Sequence, residues 1–484
     1  MQQKLLEFLK NPFNTMAGFF IFGTIFVIVF WAVERNGLDK KIELPLEQSG
    51  SKQINSASSS SQKKEQRPKA EPANQEKSAQ PQAQSQIQLQ TQPQTPKREN
   101  EEKNKYNIEQ AISDNAQLNT MAFDGLGFLT GNTCSDSFLP PGKVADFFGF
   151  QHLRDITANG KGHDTDFVTN SAYNVLKTLT DAQKAKLFAL AKTQASLVND
   201  FAYKRFPLMV AFRRQLEGNI PSGSTGLSKD AIKNYSADLY ALDAKISIQR
   251  TKLYAETLNS LDQTQKSYLD NMVKGGFASW ASLPDQVGKG VPREESVLVM
   301  TYASEMFGWY AGDIEADTYF CPERQADYFG GFYIKDAPAI GNAGYTIDES
   351  ITGDQGQSFI QVLDGTQKNT ITSVIAEQKN DLNGIVEKRR AISTELRKAL
   401  SGQSIDENIV TSLAKEYGSL DGEISYYYVT AFAKVGKSLT NEQKSALDKL
   451  RGLSNYPCPS DKAYLYSEKI DMPKVDNTDF LFNK

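Results

Sequence analysis

The sequence predicts an all-α protein with a single N-terminal transmembrane helix, a disordered linker and a duplicated helical-hairpin bundle. An uncharged apolar run near the N-terminus predicts the membrane helix. A long polar stretch of low complexity follows that run and predicts the linker. A short helix-starting motif then recurs in an aromatic-rich, helix-periodic body, which indicates two copies of one hairpin.

These features divide the chain of 484 residues into seven segments, in line with the two or three domains that its length suggests. In order they are a cytoplasmic N-terminus (1–15), a transmembrane anchor (16–33), a disordered linker (34–105), helical repeat 1 (106–275), an inter-repeat insert with a helix (276–319), helical repeat 2 (320–455) and a C-terminal tail (456–484). Repeat 1 and repeat 2 hold the two hairpins.

The run from Met16 to Val33 contains no charged residue. At 1.5 Å rise per residue it covers roughly 27 Å, near the lower limit for a bilayer core. Trp31 lies where an interfacial aromatic residue is expected. The alternative is a cleaved signal peptide, but the run is long for one and no small-x-small cleavage site follows it. We therefore expect a retained anchor in the cell inner membrane.

The charges beside this run leave its orientation nearly balanced. Lys4 and Lys10 precede it, and Arg35, Lys40 and Lys41 follow it. A short N-terminus before a large polar body favours a cytoplasmic N-terminus. We therefore expect the body in the periplasm or outside the cell.

The linker contains no aromatic residue between Trp31 and Tyr106. From Gln48 to Lys105 it consists mainly of Gln, Ser, Lys, Pro and Glu. Such a composition cannot bury enough apolar surface to offset the entropy lost on ordering, so we expect disorder. As a flexible coil this stretch has an r.m.s. reach of roughly 40 Å, which suits a tether.

The hairpins run from about Leu176 to Met272 and from about Ile360 to Leu453. Each begins and ends with Leu, then Thr or Asp, two further residues and Gln-Lys. The four motifs start at Leu179, Leu261, Leu363 and Leu439. Matching positions of the two copies are 178 to 184 residues apart, which indicates a duplication. The insert between the copies has no match in this alignment and contains a predicted helix from Arg293 to Asp313.

Each motif predicts a capping box. In it the side chain of Thr180 or Asp364 accepts from an early backbone N–H of the helix, and the side chain of the Gln three residues later accepts from the backbone N–H of the capping residue. Apolar residues spaced three and four apart then predict one helix from Leu187 to Leu216. The sequence at 219–223 ends it, and a return helix follows. Short connections imply antiparallel neighbours, and we expect the two copies to cover each other's apolar faces.

Two arginines interrupt the apolar faces of the first helices, at Arg205 and Arg389. Asp243 and Asp421 occupy comparable positions on the return helices. A buried charge needs a partner, so we expect the ion pairs Arg205–Asp243 and Arg389–Asp421 within the hairpins. The alternative function for the arginines is an anion-binding site.

The loop from Asp155 to Asp166 carries oxygen ligands at positions 1, 3, 5 and 12 and a glycine at position 6, as in an EF-hand. Its candidate calcium ligands are Asp155, Asn159 and Asp166. Gly162 replaces the usual aliphatic residue, and an ordinary Gly/Asn turn is the alternative. His152 and His163 form a second, weaker candidate for a metal site.

The cysteines Cys134, Cys321 and Cys458 lie at the edges of the repeats. In an exported body two of them should oxidise to a disulfide that joins repeat ends and leaves the third over. Their spacing does not decide which two pair.

The capped hairpins resemble the Leu-Thr-x-x-Gln family of periplasmic helical proteins, of the Spy/CpxP type. Leu179-Thr180 with Gln183 and Leu439-Thr440 with Gln443 match the motif, while the other two copies carry Asp for Thr. The resemblance implies a long hairpin bracketed by two motifs and a hooked pair of hairpins. It also implies a role as an envelope chaperone or stress sensor. Some members bind metal through histidines, which these hairpins lack.

The function expected from the sequence is a membrane-tethered, exported binding protein of the cell envelope, chaperone-like or stress-sensing. The alternatives are a structural scaffold of an envelope assembly and a calcium- or metal-binding sensor that uses the Asp155–Asp166 loop. No P-loop, Rossmann, Gly-x-Ser-x-Gly or zinc-protease motif occurs, so we expect neither an enzyme nor a cofactor. Expected partners are the inner membrane and an envelope protein or client, with no nucleic acid.

Overall fold

The computed structural model describes most of the helical body of the chain. The described residues are 112, 114–136, 166–275, 279–318, 358–451, 459–465 and 468–484. The predicted membrane run at 16–33 and the predicted linker at 34–105 lie outside them. Among the helices within these ranges, none combines the length and the apolar character needed to cross a bilayer.

The described body is all-α, as predicted, except for a two-stranded hairpin near its C-terminus. The helices are α1 (Asp114–Thr130), α2 (Thr133–Asp136), α3 (Asp166–Thr178), α4 (Asp181–Lys204), α5 (Phe206–Glu217), α6 (Lys229–Asn259), α7 (Gln263–Gly275), α8 (Arg293–Ala311), α9 (Ile314–Thr318), α10 (Gly365–Arg397), α11 (Glu407–Ser438) and α12 (Asn441–Arg451). The strands are β1 (Lys462–Leu465) and β2 (Glu468–Asp471). Helices α4 to α6 form the first hairpin, and α10 and α11 form the second.

The predicted capping boxes are confirmed at the start of both hairpins. The Thr180 side chain accepts from the Gln183 backbone N–H, and the Gln183 side chain accepts from the Thr180 N–H. Asp364 and Gln367 form the same reciprocal pair before α10. Two backbone donors that the helix itself leaves unpaired are satisfied at each start.

The single helix predicted from Leu187 to Leu216 is wrong, because the chain forms α4 and α5 with a break at Arg205. Pro207 explains the break, since it has no backbone N–H and its ring clashes with the carbonyl four residues earlier. The second hairpin has Ala391 at the matching position. Its first helix, α10, accordingly runs unbroken for 33 residues.

The two hairpins pack against each other through α6 and α11, as predicted, and this is the most extensive helix contact in the described body. The rings of Tyr240 and Tyr417 meet at the crossing with centroids 4.5 Å apart. Gly418 and Gly422 on α11 face Tyr240 and Ser236 on α6, so that the two backbones approach closely. The apolar residues of both hairpins belong to one continuous core.

Helices α1 and α8 cover the two hairpins in equivalent ways. Helix α8 packs on α3, α4 and α6, and α1 packs on α10, α11 and α12. Arg213 donates to the Phe128 carbonyl and lies over the Phe128 ring, with 4.5 Å from its Cζ to the ring centroid. Arg397 donates to the Trp309 carbonyl and lies 5.1 Å from the centroid of the Trp309 ring. The insert helix therefore has a counterpart in α1, which the sequence alignment missed.

The C-terminal tail folds back on the first hairpin. Its strands pair antiparallel, with Lys462 opposite Asp471. Beyond them the chain pairs with the loop between α5 and α6, where Asn483 N–H donates to the Gly226 carbonyl at 2.9 Å. Phe482 is buried there, opposite Leu227. The tail therefore joins the end of repeat 2 to repeat 1.

Candidate functional site

The glutamines of the four capping motifs pair at the base of each hairpin. Gln265 donates to the Gln183 side chain at 2.7 Å, and Gln443 donates to the Gln367 side chain at 2.8 Å. Gln265 also donates to the Thr178 carbonyl at 2.9 Å. Each motif therefore starts a helix and also fixes the other end of its hairpin, which is a structural role.

The predicted charged residues Arg205, Asp243, Arg389 and Asp421 are all buried. Arg389 donates to the Asp317 carbonyl at 2.7 Å and to the Tyr417 hydroxyl at 3.1 Å. Asp243 lies 4.0 Å from the Arg250 guanidinium. The pairs Arg205–Asp243 and Arg389–Asp421 stay predictions. The hydrogen bonds of Arg389 to neighbouring helices support a structural role for this arginine.

A buried ion pair that the sequence analysis missed joins α6 to α8. Arg250 donates to both oxygens of Glu305, at 2.7 and 2.9 Å. Tyr254 donates to the same carboxylate, and burial together with the Glu305 charge raises the pKa of Tyr254. The sequence did contain a signal for a buried ion pair, because Glu305 is a carboxylate within the apolar stretch that forms α8. Arg250, Glu305 and Tyr254 are all buried. The ion pair therefore holds α8 against α6 and is not accessible to a ligand.

A cluster of charges lies where α6, α10 and α11 meet, and we call Lys229, Lys233, Asp381, Glu423 and Tyr427 the interface cluster. Lys229 Nζ lies 2.7 Å from Glu423 Oε1, and Lys233 binds the other oxygen. The Tyr427 hydroxyl donates to Glu423 at 2.9 Å. Burial works against the Glu423 charge, but these three donors outweigh it and lower the pKa of Glu423 to about 2. Glu423 therefore stays ionised and links the two repeats.

Asp381 completes this cluster from α10. Burial raises the pKa of the Asp381 carboxyl to about 6, and the neighbouring Glu423 charge acts in the same direction. Lys233 and Lys229 oppose this rise only in part. Asp381 is therefore a half-buried carboxyl group whose charged form is disfavoured by burial and by the Glu423 charge.

Two exposed aromatic side chains and one half-buried tyrosine lie near the break between α4 and α5. Tyr203 is 42% exposed and stacks on Phe206, and Phe480 of the C-terminal tail is 52% exposed. Tyr235 connects them, because its hydroxyl donates to the Lys204 carbonyl at 2.6 Å and its ring lies 5.7 Å from that of Phe480. We call Tyr203, Tyr235 and Phe480 the aromatic patch. Aromatic residues of this kind are enriched in protein interfaces.

An open cleft of about 480 Å³ lies where α1, α5, α11 and α12 converge. Its apolar lining comes from Leu129, Leu216, Leu439 and Leu447, and its charged lining from Glu217, Lys437, Lys444 and Asp448. Its size falls in the range of small-ligand sites. Two cations and two anions line it, so its charge does not select one class of ligand.

The predicted metal and disulfide residues lie mostly outside the described part of the chain. Asp155, Asn159, Cys321 and Cys458 are outside it, and Asp166 is the first residue of α3. Cys134 is buried on α2, which packs against β1. Within the described ranges, no group of three or more His, Cys, Asp or Glu side chains is placed to hold a metal ion.

The aromatic patch and the cleft are thus two surface features of the described body that are suited to binding. The interface cluster and the buried pair instead hold helices together. Comparisons with protein-family models, with curated proteins and with solved structures found no match to this chain.

Proposed function

We propose that the chain is a membrane-tethered, exported helical binding protein of the cell envelope, chaperone-like or stress-sensing. The apolar run at 16–33 would anchor it, and the polar linker would let the body reach partners near the membrane. The resemblance of its capped hairpins to the Leu-Thr-x-x-Gln family supports an envelope role.

The aromatic patch is the observation that carries this proposal. Tyr203 and Phe480 are two of the three large hydrophobic residues that are exposed in the described body. Tyr203 lies on α4 and Phe480 in the C-terminal segment, and both elements pack on the common core. A partner would therefore bind aromatic side chains whose positions are already fixed. Such anchors contribute most of the binding energy in many protein interfaces.

Site-specific photocrosslinking in cells tests the proposal. A photoreactive amino acid at position 203 or 480 should capture one and the same envelope protein. The control is position 409, because Ile409 is the third exposed hydrophobic residue, is 46% exposed, and lies in the first turn of α11. Capture of the same protein from position 409, or of no protein from 203 and 480, would contradict the proposal.

A purified partner then allows the affinity to be measured. Tyr203→Ala and Phe480→Ala should each weaken binding by about fivefold or more, as expected for residues that contribute over 1 kcal/mol. Ile409→Ala should leave the affinity unchanged. An unchanged melting temperature in all three variants would show that the loss comes from the surface.

The second candidate is a scaffold of an envelope assembly. Its support is the interlocked architecture, in which covering helices and the C-terminal tail tie the repeats into one unit. A chaperone should slow aggregation of an unfolded client at substoichiometric amounts. A scaffold should fail in that assay but bind one fixed partner at a fixed ratio.

A further inference from the structure

The strongest unassigned feature is the surface that holds the last residues of the chain. We call residues 478–484 the end segment, and the residues that hold it the tail site: Arg214, Gly226, Leu227 and Ser228. The Ser228 N–H donates to the Leu481 carbonyl at 2.8 Å, and the Asn483 N–H donates to the Gly226 carbonyl at 2.9 Å. Leu227 and Phe482 form an antiparallel bridge between these two bonds. The end segment therefore pairs with the loop as an added strand does, which is a recurring mode of peptide recognition.

Side chains of the end segment are recognised as well. Arg214 Nη1 donates to the Thr478 hydroxyl and to the Asp479 carboxylate, at 2.8 Å each. The same guanidinium lies over the Phe482 ring, with 4.8 Å from its Cζ to the ring centroid. Leu481 and Phe482 are buried. The tail site therefore selects a carboxylate followed by two large apolar residues.

The tail site is also held in shape by contacts that do not involve the end segment. The Leu227 N–H donates to the Gln215 side chain at 3.2 Å, and the Ser228 side chain caps the start of α6. Arg214 Nε donates to the Asn219 carbonyl at 2.9 Å, which orients the guanidinium. An incoming peptide would meet groups that are already in position, and such preorganisation lowers the cost of binding.

The chain reaches the end segment through a stretch of irregular backbone. Residues 473–477, after β2, belong to no helix or strand. The side chains of Lys474 and Asp476 in this stretch are 90% and 86% exposed. A second copy of the chain carries the same end segment, so that segment would make the same hydrogen bonds and the same ring contact in the tail site. Exchange of an identical element between copies is a low-cost route to association.

We propose that the tail site binds the end segment of a second copy of this chain, so that two copies are joined by exchanging their end segments. A single copy fills its own site because the short connection gives the attached segment an effective concentration of about millimolar. Crowding of copies, as on one membrane surface, favours the exchange. The aromatic patch is preserved, since the incoming segment supplies an equivalent Phe480. The inference therefore goes beyond the proposed function and does not depend on it.

Complementation between two full-length variants tests the proposal. Phe482→Ala keeps the tail site but weakens the end segment, whereas Arg214→Ala keeps the end segment but weakens the tail site. Each variant alone should sediment as a single copy. The equimolar mixture should contain a species of twice that mass, because the intact end segment of one variant binds the intact tail site of the other.

The matched control adds Phe480→Ala to the Arg214→Ala chain. Phe480 lies in the same end segment but is 52% exposed, so the mixture should still associate. Addition of Phe482→Ala to the Arg214→Ala chain should instead abolish association. The proposal is overturned if the equimolar mixture stays at the mass of a single copy, or if association survives the loss of Phe482 from both chains.

A synthetic peptide of residues 477–484 provides a second measurement. It should bind the full-length Phe482→Ala chain, and the same peptide with Phe482→Ala should bind about tenfold more weakly or worse. Absence of peptide binding overturns the proposal. Peptide binding without association of the mixture also overturns it, because the site would then accept a peptide but not a second copy. If circular dichroism shows that a variant has lost helix, Asp479→Ala replaces Phe482→Ala and the parent replaces Arg214→Ala, with the same outcomes expected.

Discussion

Tyr240 on α6 packs directly against the backbone of Gly418 on α11. A β-carbon added to Gly418 would lie 2.7 Å from the Tyr240 Cβ and 2.8 Å from the Ser236 carbonyl oxygen. Four residues later, a β-carbon on Gly422 would lie 2.9 Å from the Ser236 Cβ. The repeats therefore meet through a glycine-lined crossing that leaves no room for larger residues.

Gly418→Ala should destabilise the protein by about 1–3 kcal/mol, because the added methyl group forces the two helix backbones apart. Urea unfolding measures the change. Gly384→Ala is the control, since Gly384 also lies inside a long helix and its β-carbon would meet mainly the flexible end of Leu420, at 2.9 Å. A smaller loss is expected there, and equal losses would show that the crossing is not specially tight.

Glu305→Ala should cost about 3 kcal/mol or more, because it removes the carboxylate whose two oxygens both accept from Nη1 of the buried Arg250. Tyr254 loses its acceptor in the same variant. Glu256→Ala is the control. Glu256 lies on α6, as Arg250 does, but it pairs with Lys186 of α4 at the exposed surface. Its cost should stay below about 1 kcal/mol. Comparable losses in urea unfolding would refute the importance of the buried pair.

Phe482→Ala should release the C-terminal tail from the first hairpin. The Phe482 ring is buried under Arg214, whose Cζ lies 4.8 Å from the ring centroid, and we expect a loss of about 3 kcal/mol. Faster hydrogen exchange should appear in the loop at 218–228. Phe480→Ala, two residues away and half exposed, should cost less than about 1 kcal/mol. Unchanged exchange in the Phe482 variant would mean that the tail does not hold this loop.

We expect Cys134 to pair with Cys458 rather than with Cys321 in the oxidised protein. Cys134 is buried on α2, and α2 packs against β1, which begins shortly after Cys458 in the chain. Peptide mass spectrometry without reduction should recover a Cys134–Cys458 cross-link and an unpaired Cys321. A cross-linked peptide containing Cys321 would contradict this assignment.

Local signals in the sequence predicted the hairpin starts but not what covers the hairpins. Thr180 and Gln183 interact across three residues, so a short motif suffices to specify their hydrogen bonds. Pro207 was also a local signal, and the break at Arg205 was predictable from it. The equivalence of α1 and α8 was hidden because their shared contacts are made to arginines in distant parts of the chain.

The sequence by itself determined the capped helices, their duplication and the apolar faces that bring the two copies together. Only the tertiary structure decided that Arg250 pairs with Glu305, that Glu423 pairs with Lys229 and Lys233, and that the tail returns to the first hairpin. The physical reason is the sequence separation of the residues that interact. Caps and helical faces arise from neighbours within a few turns, whereas a buried charge takes whichever partner the packed helices bring within reach.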